Sequence, residues 1–448
     1  MNDTKHRLLS QTLGLILAGG QGKRLYPLTR DRTKGAVPFG GIYRLIDFTL
    51  SNCLHSGLRR IAVLPQYKYA SLERHLRLGW DLFRPEMGEN LAIISPQQRV
   101  NQDWYKGTAD AVYQNIYTLR QESPRYTLIL ASDHIYRMDY SLLLDYHVRN
   151  QAGLTIACGE VGLEKGHQLE IAEIDTAKRI TGFEEKPPNP SSIPGKPGRS
   201  LASMGIYVFD TQVLIDALAA DADNQDSRRD FGHDIIPRMV GGDIPVCAYV
   251  AQGKEQTEDF YWRDIGSVDA YWEASMELLS PYLPFDLYDP SGPIHTYQPV
   301  LPPARIFQEE GSSSEVEDSL LCPGVTLTDA RVYRSILSPN VKVDHQAEIV
   351  DSVLMDGVQV GPGARIHRAI IDKNVRIPAG YFVGNDLFPH ECKVHISPGG
   401  VIVIPRGDNV DCETREIEDA YAYYGSGFVP NRSRLSGAAE MAMPVTAM

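Results

Sequence analysis

A glycine-rich segment follows the first apolar stretch of the chain and has the residue types of a phosphate-binding loop. Residues 17–29 read LAGGQGKRLYPLT, with glycines at Gly19, Gly20 and Gly22. A residue without Cβ lets backbone N–H groups approach phosphate oxygens closely. Arg24 and Lys34 add cationic donors. The segment is neither a Walker A loop nor GxGxxG, and a tight turn also needs glycines, so both interpretations stay open.

Two aspartates are candidate metal ligands. Asp133 follows the apolar stretch 127–131, and Asp264 lies in YWRDIG. Carboxylate oxygens are the ligands that Mg²⁺ prefers, and a carboxylate at a strand end beside a phosphate loop could bind that ion. Each aspartate alone is also a common cap or turn former.

Further polar residues lie near segments predicted to be loops. They are Tyr105, Thr108, Glu185 and Lys186. They could hold a hydroxylated substrate, with the lysine pairing with a phosphate. The alternative is an ordinary charged surface.

The elements that must position these residues alternate between strand and helix. Apolar stretches at 14–17, 60–65, 127–131, 154–160 and 202–209 predict strands, and helical spacing predicts helices at 71–82 and 108–119. The stretch 187–200 is too rich in Pro, Gly and Ser for regular structure. Such alternation predicts a doubly wound α/β domain over residues 1–280, with ligands at the carboxyl ends of the strands.

The second half of the chain contains a repeat. Val325, Val341, Val358 and Val375 follow one another at spacings of 16, 17 and 17 residues, each within a turn-and-strand motif. A period near 17 with apolar residues every five or six positions predicts a parallel β-helix over 319–425, after a linker at 281–318 and before a mobile tail at 426–448. An antiparallel β-sandwich is the alternative. The flat ends of a β-helix need cover, from the first domain or another subunit.

Composition narrows the class of protein. The 448 residues carry 44 Lys+Arg against 57 Asp+Glu, a net charge of −13, which argues against a nucleic-acid-binding protein. No apolar run reaches 18 residues, so no membrane span is expected. The six cysteines form no CxxC pair, which fits a reducing cytoplasm.

Eight motifs in order resemble the bacterial glucose-1-phosphate adenylyltransferases. They are LAGGxGxRLxPLT, KGAVPFGG, IDFTLSNC, WYKGTADAV, LASDHIY, GFEEKP, SLASMGIYVF and YWRDIGS. The resemblance implies a Rossmann-like nucleotidyltransferase domain with a mostly parallel sheet and a C-terminal left-handed parallel β-helix. It implies joining of ATP and α-D-glucose 1-phosphate into ADP-glucose and pyrophosphate, the step that commits glucose to glycogen-type polymers. It also implies Mg²⁺, a homotetramer, and regulation by metabolites bound between the domains.

The resemblance also assigns roles to residues. Gly19, Gly20 and Gly22 look like the nucleotide cradle, joined by Gln66 and Gln97 on the adenine side and by Gly107 and Thr108. Arg24, Lys34 and Asp133 look catalytic, and Asp133 with Asp264 look like the metal ligands. The residues at positions that hold the glucose phosphate are Tyr105, Glu170, Glu185, Lys186 and Ser203.

The sequence departs from the family's pattern at three places. The pair Leu169-Glu170 stands where the family has Phe-Gly, and a Glu there could crowd the sugar and repel its phosphate. Glu170 could swing away, the sugar could differ, or affinity could be lost and leave a regulatory chain; we favour the first. Gly35 replaces a usual Pro after the lysine, and Ser132 replaces a common Gly.

Regulation and side activities are less specified. Residues 29–34 resemble the family's effector region, although Asp31 weakens its positive charge. Arg365, Arg368 and Arg376 are candidate anion contacts, or else a solvated face. Acyl transfer by the β-helix, with His367 as its histidine, is a remote alternative.

Overall fold

The computed structural model describes residues 2–97, 104–253, 260–281, 285–309, 313–384 and 394–407, without the side chains of 2–4. The tail predicted at 426–448 lies outside the described residues, as does the end of the β-helix predicted at 425. In the part of the chain that is described, no helix has the length and apolar character to cross a membrane.

A nine-stranded mixed sheet forms the centre of the α/β domain. Its main path runs in the order Ile180–Glu185, Glu170–Ile174, Arg199–Asp210, Tyr126–Ala131, Thr12–Ala18, Arg60–Pro65 and Asn90–Ile93. Leu154–Gly162 pairs with Arg199–Asp210 and with Val246–Val250. The half around Thr12–Ala18 is parallel, whereas Arg199–Asp210 runs antiparallel to its neighbours.

Both faces of this sheet are buried. Along the first strand Leu15 packs into one apolar cluster and Ile16 into another, and Ala62 and Val63 alternate in the same way on the neighbouring strand. Successive strand side chains point to opposite faces, so a continuous apolar run needs cover on both sides. Helices on the two faces supply it: Asn2–Ser10, Leu45–Ser56, Ala70–Gly79, Thr108–Tyr113, Ile116–Glu122, Tyr140–Arg149, Thr211–Ala222 and Ile236–Val240. The domain also contains the short helix Leu163–Gly166 and the helix Val268–Glu277, which packs in a separate buried cluster.

Short elements complete the α/β domain. The 3-10 helices are Lys23–Leu25, Lys34–Ala36 and Pro85–Met87, and Phe231–Ile235 is a π-helix. Two antiparallel pairs lie outside the main sheet: Pro38–Phe39 with Tyr43–Arg44, and His134–Tyr136 with Trp262–Asp264.

Two predicted helices differ from those observed. The helix predicted at 108–119 breaks into Thr108–Tyr113 and Ile116–Glu122, because the Asn115 side chain donates to the Ala111 carbonyl and competes with the backbone ladder. The helix predicted at 71–82 ends at Gly79. The strand predicted at 60–65 is confirmed with both of its bounds.

The repeat forms three parallel sheets, which confirms the predicted β-helix. One contains Arg305–Phe307, Thr326–Thr328, Lys342–Val343, Gln359–Val360 and Arg376–Ile377. The second contains Glu315–Glu317, Arg331–Tyr333, Glu348–Val350, Arg365–His367 and Phe382–Val383. The third contains Leu320–Leu321, Ile336–Leu337, Val353–Leu354, Ala369–Ile371, Ile402–Ile404 and, antiparallel at its edge, His395–Ile396.

The sheets begin earlier than expected. Arg305–Phe307 and Glu315–Glu317 pair in parallel with the next coil, so the predicted linker at 281–318 contains the first coil. Pro, Gly and Ser mark turns in a β-helix as well as linkers, and composition alone did not separate the two. The predicted left-handedness stays a prediction.

The β-helix packs on the α/β domain through a shared apolar core. Val37 and Phe39 from the α/β domain and Ile336, Val353 and Ile370 from the β-helix belong to one buried cluster. Burial of this kind contributes roughly 25 cal/mol per Å² of apolar surface removed from water. The joint is therefore a stable part of the fold.

Candidate active site

A cavity of about 600 Å³ opens beside the carboxyl ends of the parallel strands. Most residues that the sequence singled out line it, although they come from distant parts of the chain. They are Gly19, Gly20, Arg24, Lys34, Gln66, Tyr105, Gly107, Thr108, Asp133, Glu170, Glu185, Lys186, Ser203 and Asp264. Gly22 and Gln97 are the two predicted residues that do not line it.

The glycine segment begins where Thr12–Ala18 ends. Gly22 has φ +62°, and a Cβ there would lie 2.8 Å from the Thr29 side chain, so this position requires glycine for the turn. Thr29 Oγ1 donates to the Gly22 carbonyl at 2.9 Å and closes the loop. A Cβ on Gly20 would have no neighbour within 4 Å. Gly22 therefore shapes the loop, and Gly20 leaves space for a ligand.

A short ladder brings the two predicted metal ligands together. His134–Tyr136 pairs antiparallel with Trp262–Asp264, and in this register His134 lies opposite Asp264. Asp133, the residue before His134, therefore comes beside Asp264 although the two are far apart in sequence. Atoms of Asp133, His134 and Asp264 lie within 4.8 Å of one another.

Lys34 lies between the two carboxylates. Its Nζ forms an ion pair with Asp133 and lies 3.4 Å from Asp264 Oδ1. Burial opposes the charge of Lys34, but the two carboxylates outweigh burial and raise its pKa. Burial alone would raise the pKa of Asp133, whereas the positive charge of Lys34 lowers it below its usual range. Both groups are thus ionised at neutral pH.

His134 is a site residue that the sequence reasoning missed. Trp262 Nε1 donates to His134 Nδ1 at 3.3 Å. An indole N–H only donates, so Nδ1 must be unprotonated and the neutral ring carries its hydrogen on Nε2. Nε2 lies 3.6 Å from Asp264 Oδ1 and 3.9 Å from Asp133 Oδ1. His134 therefore directs a donor at the carboxylates and is not itself a metal ligand in this tautomer.

The two carboxylates fit a hard divalent cation. Asp133, Asp264 and Lys34 together carry one net negative charge, and their free acceptors are carboxylate oxygens. Mg²⁺ is commonly held by one or two carboxylates together with substrate phosphates. The sequence indicated Asp133, because this aspartate follows a buried strand. It did not indicate the short ladder that brings Asp264 beside Asp133.

Two departures from the family's pattern touch each other. A Cβ on Gly35 would lie 3.2 Å from both Cβ and Oγ of Ser132. The absent side chain at one position thus makes room for the added side chain at the other. Thr33 Oγ1 donates to the Ala18 carbonyl at 3.0 Å and fixes the start of this turn.

The far end of the cavity holds Glu185, Lys186 and Ser203. Glu185 ends a strand, and Lys186, with φ +51°, adopts a left-handed conformation that is uncommon for a lysine. The two side chains form an ion pair. Ser203 lies at a bulge in Arg199–Asp210 before Gly205, whose φ is +63°. Backbone outliers of this kind are frequent at binding sites.

Glu170 stays in the cavity and does not swing away. Tyr207 Oη donates to Glu170 Oε2 at 3.2 Å. A Cβ on Gly232 would lie 2.1 Å from Glu170 Oε1, so glycine at 232 leaves the space that the carboxyl group fills. Burial, together with the negative charges of Asp230 and Glu185, raises the pKa of Glu170 to about 7, against the opposing hydrogen bonds of Ser203 and Tyr207.

Gln66 lines the cavity and has a buried side-chain acceptor. Its Nε2 donates to the Tyr105 carbonyl at 3.2 Å, while Oε1 is buried and has no hydrogen-bond partner among the described residues. A buried, unpaired acceptor costs about 1–3 kcal/mol, so this atom is suited to a donor from a ligand. Gln97 is exposed and does not line the cavity.

Gly107 and Thr108 make structural contacts at the cavity edge. A Cβ on Gly107 would lie 2.2 Å from the Arg229 carbonyl oxygen, so close backbone approach explains the glycine. Thr108 Oγ1 donates to Asp230 Oδ2 at 2.9 Å and accepts from the Phe231 N–H at 3.0 Å. These bonds position the π-helix beside Glu170.

A second cavity, of about 650 Å³, lies where the α/β domain meets the β-helix. Arg32, Arg44, Arg74, Lys373 and Arg406 line it. The predicted anion contacts Arg365, Arg368 and Arg376 do not: the Arg368 guanidinium instead lies over the Trp272 ring, 4.0 Å from its centroid. Arg32 lies in the segment 29–34 that resembles the family's effector region, whereas the sequence did not show that Arg44, Arg74, Lys373 and Arg406 converge with it.

Comparison with known proteins gives two family matches. Residues 13–281 match the family model described as Nucleotidyl transferase, and residues 302–404 match one described as GlmU-like, C-terminal hexapeptide. The first match covers more than half of the chain.

Curated relatives extend over almost the whole chain. One is the "Glucose-1-phosphate adenylyltransferase 2" of Vibrio cholerae, 45% identical over 399 residues, covering 89% of this chain and 98% of the relative. Proteins named "Glucose-1-phosphate adenylyltransferase" include that of Rhodopirellula baltica, 44% identical over 90% of this chain and 92% of the relative. That of Hydrogenovibrio crunogenus is 46% identical over 90% of this chain and 95% of the relative.

Proposed function

This chain belongs to the nucleotidyl transferase family, and we propose that it transfers the adenylyl group of ATP to α-D-glucose 1-phosphate. The products are ADP-glucose and pyrophosphate. The observation that carries the proposal is the cavity that joins a glycine loop, a Lys-Asp-Asp cluster and a sugar-phosphate end in one space. Relatives at about 45% identity are named glucose-1-phosphate adenylyltransferases, which supports these two substrates.

The reaction needs position and charge rather than a general base. A phosphate oxygen of glucose 1-phosphate attacks the α-phosphorus of ATP in line, and the bond to pyrophosphate breaks. The nucleophile is already ionised at neutral pH, so no proton has to be removed. Catalysis then depends on alignment and on neutralising the charge that moves to the leaving group.

The chain's own residues divide this work between them. The glycine loop directs backbone N–H groups at the triphosphate, and Arg24, exposed at the cavity mouth, adds charge at the leaving group. Lys186 orients the sugar phosphate. Asp133 and Asp264 would hold Mg²⁺, which supplies Lewis-acid neutralisation of the phosphate oxygens when bound. Lys34 and His134 hold the two carboxylates in place.

The test is pyrophosphate release by the purified full-length protein with Mg²⁺. We expect release from ATP plus glucose 1-phosphate above all other pairs in a panel of nucleoside triphosphates and sugar 1-phosphates. If another pair in that panel released pyrophosphate faster, that pair and not ATP with glucose 1-phosphate would be the substrates. Binding of both substrates without release for any pair would instead indicate a regulatory chain, and consumption of acetyl-CoA would indicate acyl transfer.

Regulation is proposed to act through the second cavity. Its cations would take an anionic, phosphate-bearing metabolite, and a ligand there would contact both the α/β domain and the β-helix. A homotetramer and a cytoplasmic location are further parts of the proposal. The buried free thiols of Cys53, Cys158, Cys247 and Cys322 suit a reducing compartment.

A further inference from the structure

Glu170 is a carboxyl group in the part of the cavity that must accept an anion. It opens the strand Glu170–Ile174 and lies opposite Glu185 across an antiparallel pair, so both acidic side chains share one face. Like charges directly opposite one another destabilise such a pair. Lys186, which also lines this end, forms an ion pair with Glu185. An ionised Glu170 would therefore oppose a sugar phosphate.

The surroundings of the Glu170 side chain are built to hold it. The absent side chain of Gly232 leaves the space for Oε1, and Tyr207 donates to Oε2 at 3.2 Å. Ser203, from the same strand as Tyr207, also lies beside the carboxyl group and opposes the rise of its pKa. The carboxyl group is thus a fixed part of the cavity wall.

The charged and titratable groups that face Glu170 come from four directions. They are Asp230 before the π-helix, Glu185 at the end of the paired strand with Lys186 directly after it, Tyr207 on the central strand, and Cys158 on Leu154–Gly162. The carboxylates and burial favour the uncharged acid, whereas the Ser203 and Tyr207 hydrogen bonds favour the ion.

We propose that Glu170 is a further binding residue for the sugar phosphate, and that the substrate is accepted by the uncharged form of its carboxyl group. The acid donates its O–H to an oxygen of the sugar phosphate. Loss of that proton removes the donor and places a third negative charge beside Asp230 and Glu185. This inference rests on the proposed function.

A dependence of substrate binding on pH follows. The pKa of Glu170 is about 7, so the group is mostly uncharged at pH 6.5 and mostly ionised at pH 8.5. If only the uncharged form binds, the KM for glucose 1-phosphate rises by about 25-fold between these values, because the apparent affinity scales with the competent fraction. The KM for ATP should not follow, since ATP binds at the other end of the cavity.

The experiment measures both KM values from pH 6.5 to 8.5 for the wild type and Glu170→Gln. Glutamine keeps a donor and cannot ionise, so its KM for glucose 1-phosphate should stay within about threefold across the range. Titration of the substrate's own phosphate affects both proteins equally and cancels in the comparison. Parallel pH profiles for the two proteins would overturn the inference.

A second variant keeps the test independent of how well Glu170→Gln folds. Tyr207→Phe removes a hydrogen bond that favours the ionised carboxylate, so the rise in KM should move to higher pH. A rise at unchanged or lower pH would contradict the inference. Absence of pyrophosphate release from every protein at every pH would instead refute the proposed function.

Discussion

Two cavities in the described part of this protein have similar volumes, about 600 and 650 Å³, and both are lined by cations and carboxylates. They differ in how those charges are paired. In the active-site cavity Lys34 shares two partly accessible carboxylates, and Arg24 is exposed at the mouth. In the second cavity Arg32 is bound to Asp372 of the β-helix at 2.6 Å, and both side chains are nearly inaccessible.

The difference indicates two uses of similar residues. Accessible charges that are not fully neutralised can exchange a partner in the protein for a substrate. A buried ion pair between two domains is costly to break, because one charge is then left without a partner. We therefore expect substitutions in the active-site cavity to lower activity with little loss of stability. Substitutions of Arg32 should lower stability with little loss of activity.

The largest expected effect is that of Asp133→Asn. Removing the charge of a carboxylate in the Lys-Asp-Asp cluster should lower kcat by about a thousandfold, in line with the loss of a main electrostatic contact in other enzymes. The measurement is pyrophosphate release at saturating substrates, alongside thermal unfolding. Asp216→Asn, on the exposed face of Thr211–Ala222, is the matched control and should keep full activity. If Asp133→Asn kept more than a tenth of the wild-type kcat, the Lys-Asp-Asp cluster would not be part of the catalytic machinery.

Next comes Arg32→Ala. It leaves Asp372 buried without its partner and should lower the free energy of unfolding by about 3–5 kcal/mol, measured by urea denaturation. Arg376→Ala, an exposed arginine of the β-helix, should change it by less than about 0.5 kcal/mol. If the two variants had equal free energies of unfolding, the claim that Arg32 in the second cavity stabilises the fold would be wrong.

A smaller effect is expected for Gln66→Leu. The unpaired Oε1 of Gln66 can accept from the amino group of adenine, which ITP lacks. Losing one such hydrogen bond should reduce the preference for ATP over ITP by about tenfold in kcat/KM. The KM for ITP should be the same in variant and wild type, which serves as the internal control. If Gln66→Leu kept the full preference for ATP over ITP, the adenine base would not contact Gln66.

The smallest effect concerns Lys373 in the second cavity. Burial, and then the positive charge of Arg44, lower the pKa of Lys373 to about 8, while Asp356 opposes this shift. The lysine is charged below that pH and neutral above it, so binding of sulfate as a probe anion should weaken a few-fold from pH 7 to 9. Calorimetric titration measures it. Lys373→Arg should remove most of the dependence; the same decline in both proteins would show that Lys373 does not face the anion.

Much of the site could be predicted from local pattern. The glycine segment and Asp133 follow buried strands, and a run of apolar residues in the sequence predicts where such a strand ends. The β-helix was predictable for the same reason, because its repeat places equivalent residues in register coil after coil. The start of the β-helix was not predictable, because the first coil has the composition of a linker.

The pairing of distant residues was decided by tertiary structure alone. Asp264 reaches Asp133 through the register of one short ladder, and the space for Glu170 exists because Gly232 lies against it. Arg32 meets Asp372 only where the two domains pack. The sequence by itself determined which segments form strands, turns and coils, because those depend on neighbours in the chain. Which charges meet, and therefore which are ionised, depends on packing between segments far apart in the chain, and no local pattern encodes it.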